Sequence, residues 1–463
     1  MATTQSVDLL TIGAGGGGYP AAFRLARAGR QVVMVDTKGV MSGNCLSEGC
    51  VPSKAVREMA MHLKRHQRFQ SFGIRGPATA DYAGIVAHKD EVQNIRYTQH
   101  SQEIADAPRV TLLKGRARFV DPHTVVVETD KGEDRYVARN IIVATGTEVS
   151  IPPIPGAQYC LTSSDLYKLH SPVTKLPASM IVIGGGYIGL ETASFFAAFG
   201  CKVTLLQRGE RVLTRMDTGM VETLVPLLDT GITILLRAQV QAIEKSEKGF
   251  CVRYRQDGMD KIVDSEQVLM AVGRHPVLPE GLGALDVEIN ARGYLVASEA
   301  MQTKLPHIYS CGDINGRVLL FHAAVRESLV AAHNILAGDV PLDYFDGTSV
   351  PTTVFTLPGA SYVGITPTAA AINSTRLLTG TYHFADDARA QIFGEMRGGI
   401  RLFFDPDTLR VLGGWVVGID AGNLIGEIGT AVASRLTARD LANFADQHPM
   451  GSEGISLAAR SLF

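Results

Sequence analysis

Cys45 and Cys50 sit five positions apart in Gly43-Asn44-Cys45-Leu46-Ser47-Glu48-Gly49-Cys50-Val51-Pro52-Ser53-Lys54. In a straight helix their side chains would point about 140° apart and the thiols would not meet. A glycine turn at Gly49 running into Pro52 instead puts Cys50 at a helix start and lets Cys45 fold back onto it, within reach of a disulfide. A helix N-terminus favours the thiolate, the form that attacks and exchanges. The spacing therefore predicts a redox-active pair. The alternatives are two unrelated buried thiols or half of a metal site. A four-residue gap suits a metal pair less well than a two-residue gap, and no second Cys or His pair follows nearby, so no metal is expected.

A second chemical pattern closes the chain. His448 precedes Glu453 by five residues, the arrangement of a base with an orienting acid. The same spacing occurs at His275 and Glu280, so the pattern alone does not choose between them.

The elements that would position these groups begin with Val7–Ile12, an apolar strand that runs into Gly13-Ala14-Gly15-Gly16-Gly17-Gly18. A helical pattern follows, then a second strand ending at Asp36, 23 residues after Gly13. Strand, glycine turn, helix, strand and acid form a dinucleotide fingerprint: Gly13, Gly15 and Gly18 admit a pyrophosphate at a helix N-terminus, and Asp36 receives ribose hydroxyls. The device returns at Met180–Ile183 and Gly184-Gly185-Gly186-Tyr187-Ile188-Gly189, with a helix expected from Glu191 to Phe199. Here Gln207 takes the acid position and Arg208 follows it. The repeat predicts two dinucleotides. Asp313 lies at the C-terminal end of the strand Ile308–Asp313, where α/β sheets bind ligands; a helix cap is the competing reading. From Thr348 the pattern changes to β strands followed by helices, a separate α+β unit.

A chain of 463 residues exceeds a single core. Its 44 basic and 46 acidic residues nearly cancel, so no basic face for nucleic acid is implied. Six cysteines do not make a disulfide scaffold, and a reducing cytoplasm is the expected compartment. Residues 1–6 are short and polar, which predicts no signal peptide. The apolar stretch from Leu176 to Leu190 is too short to span a bilayer, so no membrane association is expected.

Taken in order, the cysteine pair, the two dinucleotide folds, Ala144-Thr145-Gly146, Gly273-Arg274, Cys311-Gly312-Asp313 and His448-Pro449 with Glu453 resemble the pyridine nucleotide–disulfide oxidoreductases, most closely their lipoamide branch. The resemblance implies two Rossmann-like domains, for FAD and NAD(P), and a C-terminal dimerisation domain. Residues 1–150 and 277–346 would form the FAD domain, 151–276 the nicotinamide domain and 347–463 the dimerisation domain. It further implies that Cys45 is the exchange thiol and Cys50 faces the flavin. Lys54 and Glu191 pair beside the flavin, Thr145, Gly146 and Asp313 contact FAD, and Gly273 contributes on the nicotinamide side. His448 would be the base with Glu453 orienting it, supplied across a homodimer, while His275 would be structural.

The implied reaction oxidises a protein-bound dihydrolipoyl group with NAD, the partner being a lipoyl carrier or a 2-oxo acid dehydrogenase-type complex. The rival readings are an NADPH-dependent reductase of a small disulfide and a docking subunit. Gln207 and Arg208 leave NADP open, since a neutral amide would not repel a 2′-phosphate. Glu48 stands in the disulfide loop where relatives carry an apolar residue. One expectation is that it raises the thiolate pKa and shifts the disulfide potential; the other is a solvated loop carboxylate.

Overall fold

The computed structural model describes residues 4–247, 249–372 and 375–463. Residues 1–3, part of the polar opening read above, lie outside them.

Thr4–Ile12 is almost wholly buried from Leu9 onward and forms the middle of a mixed seven-stranded sheet. Val32–Asp36 and Val110–Lys114 extend the sheet in parallel on one side. On the other side lies the long strand Gly132–Val143. It does two jobs. Its first residues pair antiparallel with Thr124–Thr129, while its last residues run parallel to Ile308–Ser310. Ile141, Ile142 and Val143, all inaccessible, mark the fully buried end; the earlier residues alternate, as an exposed hairpin should. The return of the chain at residue 308 therefore completes the first sheet rather than building a new one.

A second, four-stranded parallel sheet runs Ile232–Leu236, Lys202–Gln207, Ser179–Ile183, Gln267–Met270, with a three-stranded antiparallel meander from Ala238 to Ser265 beside it. Its helix starts at Tyr187, earlier than expected, and ends at Ala198. Gly189 consequently lies in the first helical turn. This helix is buried nearly all round, which is why its sequence lacks an amphipathic rhythm. The short pair Thr147–Val149 with Arg274–Pro276 marks where the chain passes between the first and second sheets.

The third sheet is antiparallel, in the order Thr352–Val354, Gly359–Gly364, Val411–Gly418, Gly399–Phe404, Leu378–His383. The helix Ala421–Ala433 covers one face through Leu424, Ile425 and Ile428. One apolar cluster joins all three regions: Val56 and Ala60 of the helix Cys50–His66, Phe195 and Phe196 of the second sheet's helix, and Leu357, Phe403 and Val417 from the third. Burying each of the three phenylalanines contributes about 1.5–3 kcal/mol. Among the described residues no helix is long and apolar enough to cross a membrane.

Candidate functional site

The two cysteines are presented by two successive helices. Cys45 is central in the five-residue helix Gly43–Ser47, a turn that the glycines on either side concealed in the sequence. Cys50 is the first residue of Cys50–His66, with Pro52 in its first turn, where a missing N–H costs nothing. The thiols are hydrogen-bonded to each other. That bond, together with burial, pushes the Cys45 thiol far above its ordinary value. The same bond pulls Cys50 down, helped by the Lys54 ammonium one turn along the helix. The two thiols are thus shifted in opposite directions, Cys45 up and Cys50 down.

Lys54 Nζ lies 2.9 Å from Glu191 Oε2 and 4.4 Å from the centre of the Phe355 ring. Glu191 is buried, and its other oxygen accepts from the Phe355 backbone N–H at 2.9 Å. The pair that sequence reasoning put side by side is therefore in contact, and it is seated on the third sheet. Tyr187, which sequence reasoning passed over, stands in the electrostatic reach of Asp313, Glu191, Arg274 and Cys50. Burial first, then these carboxylates, pushes its phenol up to about 12. Its position directly after the glycine loop was the available signal.

The two glycine loops are built alike. Gly13 and Gly184 have φ of +106° and +111°, and a Cβ on either would be driven into a carbonyl, of Ala144 and Ala271 respectively. A Cβ on Gly18 or Gly189 would strike the carbonyl of the first glycine of its own loop. The middle glycines differ from these: Gly15 meets only the Gly43 Cα at 3.9 Å, and Gly186 faces open space. Both loops are thus closed toward the protein and open where a pyrophosphate approaches the helix start. The acid position repeats too. Asp36 Oδ2 accepts from Ala14 N at 3.2 Å, and Gln207 Oε1 accepts from Gly185 N at 3.2 Å. Gln207 Nε2 donates to the Arg211 carbonyl at 3.2 Å, while exposed Arg208 has no hydrogen bond or ion pair among the described residues. The residues fit two dinucleotides, the first with a carboxylate at the ribose position and the second without one.

Asp313 does not cap a helix with its side chain. Its Oδ2 accepts from Thr147 Oγ1 at 3.0 Å, and burial raises its pKa against the opposing pull of Thr147 and Arg274. Thr145 spends its hydroxyl on the Val277 carbonyl at 2.5 Å, and Val277 N donates to Gly146 O at 3.1 Å. Gly273 accepts from Ser150 N at 2.9 Å. These three residues therefore lie at the crossing between sheets. Arg274, another residue the sequence left without a role, grips Thr147 through Nε to Oγ1 (2.9 Å) and Nη2 to the carbonyl (2.6 Å). His275 is exposed and lies 3.5 Å from Ser150 Oγ.

Glu48 is not the freely solvated loop carboxylate of the second expectation: its side chain is 18% exposed, and Oε2 accepts from Ser164 Oγ at 2.5 Å and pairs with Lys38 Nζ at 3.0 Å. The largest charge effects on Cys50 come from Lys54, which lowers its pKa, and Glu191, which raises it.

At the far end, His448 Nδ1 faces Glu453 Oε1 at 2.9 Å, and the other Glu453 oxygen accepts from Met450 N at 2.9 Å. Burial pushes the Glu453 carboxyl up, but the His448 hydrogen bond and the Met450 amide outweigh it and hold it below its usual value. The ring's Nε2 is left toward solvent on a side chain that is 71% exposed. Glu453 opens a helix, Glu453–Arg460, that the sequence reading did not anticipate. Among the described residues no group of three or more His, Cys, Asp or Glu is placed to hold a metal ion.

Residues 7–328 match the pyridine nucleotide-disulphide oxidoreductase family, and residues 350–459 match its dimerisation domain. The chain belongs to the pyridine nucleotide-disulphide oxidoreductase family. It is therefore a flavoprotein oxidoreductase, and the family's cofactors are FAD and NAD(P). Relatives in this family include the dihydrolipoyl dehydrogenase of Geobacillus stearothermophilus, 31% identical over 446 residues, covering 96% of this chain and 93% of that protein. The dihydrolipoyl dehydrogenase of Bacillus subtilis is 30% identical over 447 residues, with the same coverage of both chains. Among solved structures, the HOCl-induced flavoprotein disulfide reductase RclA from Escherichia coli superposes with a TM-score of 0.84 at 26% identity, covering 97% of this chain and 98% of that one. LpdA from Mycobacterium tuberculosis shares the fold, with a TM-score of 0.88 at 24% identity and complete coverage of both chains.

Proposed function

We propose that this protein oxidises a carrier-bound dihydrolipoyl group, using the Cys45–Cys50 pair and passing the electrons through FAD to NAD. The observation that carries this reading is the placement of the thiol pair: Cys50 is the first residue of the helix Cys50–His66, one turn before Lys54, and Cys45 on the preceding short helix is hydrogen-bonded to it. The chain forms a homodimer, and His448 is supplied across it. With Nδ1 fixed by Glu453, the ring takes the proton of a substrate thiol at Nε2. The substrate thiolate attacks Cys45 Sγ, forming a mixed disulfide as the Cys45–Cys50 bond breaks, and Cys50 leaves as thiolate. The second substrate thiol then displaces Cys45, so one cyclic disulfide forms, one protein disulfide opens and two electrons pass to the protein. FAD, when bound, supplies the two-electron relay from thiol to nicotinamide. Gly13, Gly15, Gly18, Asp36 and Asp313 would hold it, and Gly184, Gly186, Gly189 and Gln207 would hold the nicotinamide dinucleotide. Lys54 and Glu191 keep charge balanced beside Cys50.

A second reading, reduction of a small disulfide with NADPH, is favoured by the neutral Gln207 and the unengaged Arg208. Side-by-side turnover with free dihydrolipoamide and either NAD or NADP decides between them. The expected result is faster oxidation with NAD. Absence of dihydrolipoamide oxidation with both acceptors, together with NADPH-driven reduction of a small disulfide, establishes the second.

A further inference from the structure

The helix Gly43–Ser47 that carries Cys45 is too short to be stable by itself. Its last carbonyls have no partner within it. Gln93, fully buried on the long helix Tyr82–Ala105, meets that need: Nε2 donates to both the Leu46 and Ser47 carbonyls, each at 3.0 Å. The orientation of the Gln93 amide is set in turn. Its Oε1 accepts from Lys89 Nζ at 2.9 Å, so the NH2 can only face the cysteine helix. Lys89 is also completely buried, and its remaining protons go to Asp90 and the Lys168 carbonyl, the latter at 2.8 Å. An ammonium buried with all three protons engaged has no freedom to turn.

From the opposite side Lys38 Nζ holds Asn44 Oδ1 at 2.8 Å and Ser47 Oγ at 3.0 Å. Those contacts grip side chains. Gln93 grips the main chain one and two residues beyond Cys45. We propose that Gln93, aimed by Lys89, is a positioning residue that keeps the exchange thiol Cys45 at bonding reach of Cys50. This rests on the reading of Cys45 and Cys50 as a redox pair. Closing their disulfide depends on the effective concentration of one sulfur at the other, and loosening the helix end lowers it. Neither Lys89 nor Gln93 touches the thiols, so their influence runs through the backbone alone.

The test equilibrates the purified holoprotein with dithiothreitol and its oxidised form. In that exchange the reagent's two thiols become one disulfide as the Cys45–Cys50 bond opens, with two electrons and two protons passing to the protein. Trapping with a maleimide and mass analysis reads the dithiol fraction. Gln93→Met, matched in length but unable to bond, is expected to shift the equilibrium about tenfold toward the dithiol, about 30 mV. Gln93→Glu keeps the acceptor for Lys89 and loses the donors; it is expected to shift the same way and serves if the methionine variant does not fold. A folded variant with a lowered Tm and an equilibrium within twofold of wild type would make the role structural only and overturn the proposal. A wild-type pair that never interconverts would overturn the redox reading and the proposal together.

Discussion

Glu191 reaches across three parts of the chain: Oε2 binds Lys54 at 2.9 Å while Oε1 accepts the Phe355 amide at 2.9 Å. Lys54→Met should break this join and leave a buried carboxylate with half its partners. Lys54 keeps 32% of its side chain exposed, and solvent screening reduces the loss to about 2 kcal/mol in denaturant unfolding. The same change removes the cation nearest Cys50. The pH at which Cys50 becomes thiolate should rise, measured by the pH dependence of its alkylation in the reduced protein. A midpoint that stays where it was would deny Lys54 its electrostatic part.

Cys45→Ser should retain bound FAD and abolish dihydrolipoamide oxidation. His448→Gln should slow the same reaction by roughly 10²–10⁴-fold, the usual worth of a positioned acid–base group. Glu453→Gln leaves the imidazole in place but weakens its orientation, so a smaller loss, about tenfold, is expected. Steady-state turnover with free dihydrolipoamide measures all three. A His448→Gln loss of less than about tenfold counts against its role as base.

At the second loop, Gln207→Glu preserves the acceptor that binds Gly185 N and adds a negative charge. The ratio of kcat/KM for NAD over NADP should rise by at least about tenfold, because a carboxylate repels a 2′-phosphate. An unchanged ratio would show that coenzyme choice is made elsewhere.

Glu327 is fully buried under the first glycine loop, with Oε2 accepting from Gly312 N at 2.6 Å and Asn315 Nδ2 at 2.8 Å. Its Oε1 has no hydrogen-bond partner among the described residues. Burial pushes its pKa from about 4.5 up to about 7. The native state therefore holds this proton to higher pH than the unfolded chain. The associated stability is complete below the ordinary carboxylate range and is lost as pH rises through about 7, a difference of about 3 kcal/mol. Glu327→Gln should flatten the fall in Tm between pH 5 and pH 8, the range about those values. An unaltered profile would mean that another group sets it.

The glycine loops and the Cys50 helix start were legible in the sequence because their causes are local: a glycine that must take positive φ, a proline in a first turn. The repeated spacing to Asp36 and Gln207 was equally plain. Glu48 was not, since its fate is decided by Lys38 and by Ser164, more than a hundred residues away. Gln93 and Lys89 carry no local signal, and their part emerges only when the fold packs the helix Tyr82–Ala105 against the Leu46 and Ser47 carbonyls. The helices Gly43–Ser47 and Glu453–Arg460 escaped because each is short and carries a glycine in its first turn, held by tertiary contacts more than by propensity.

The Lys54–Glu191–Phe355 tie has a mechanical consequence. It moors the helix that opens the nicotinamide fold to the antiparallel sheet at the other end of the chain, so a large hinge swing of that fold would have to separate Lys54 and the Phe355 amide from a buried carboxylate. The helix carrying Cys50 and the second glycine loop's helix are thereby held in one register with the third sheet, so motion of either helix is coupled to the other.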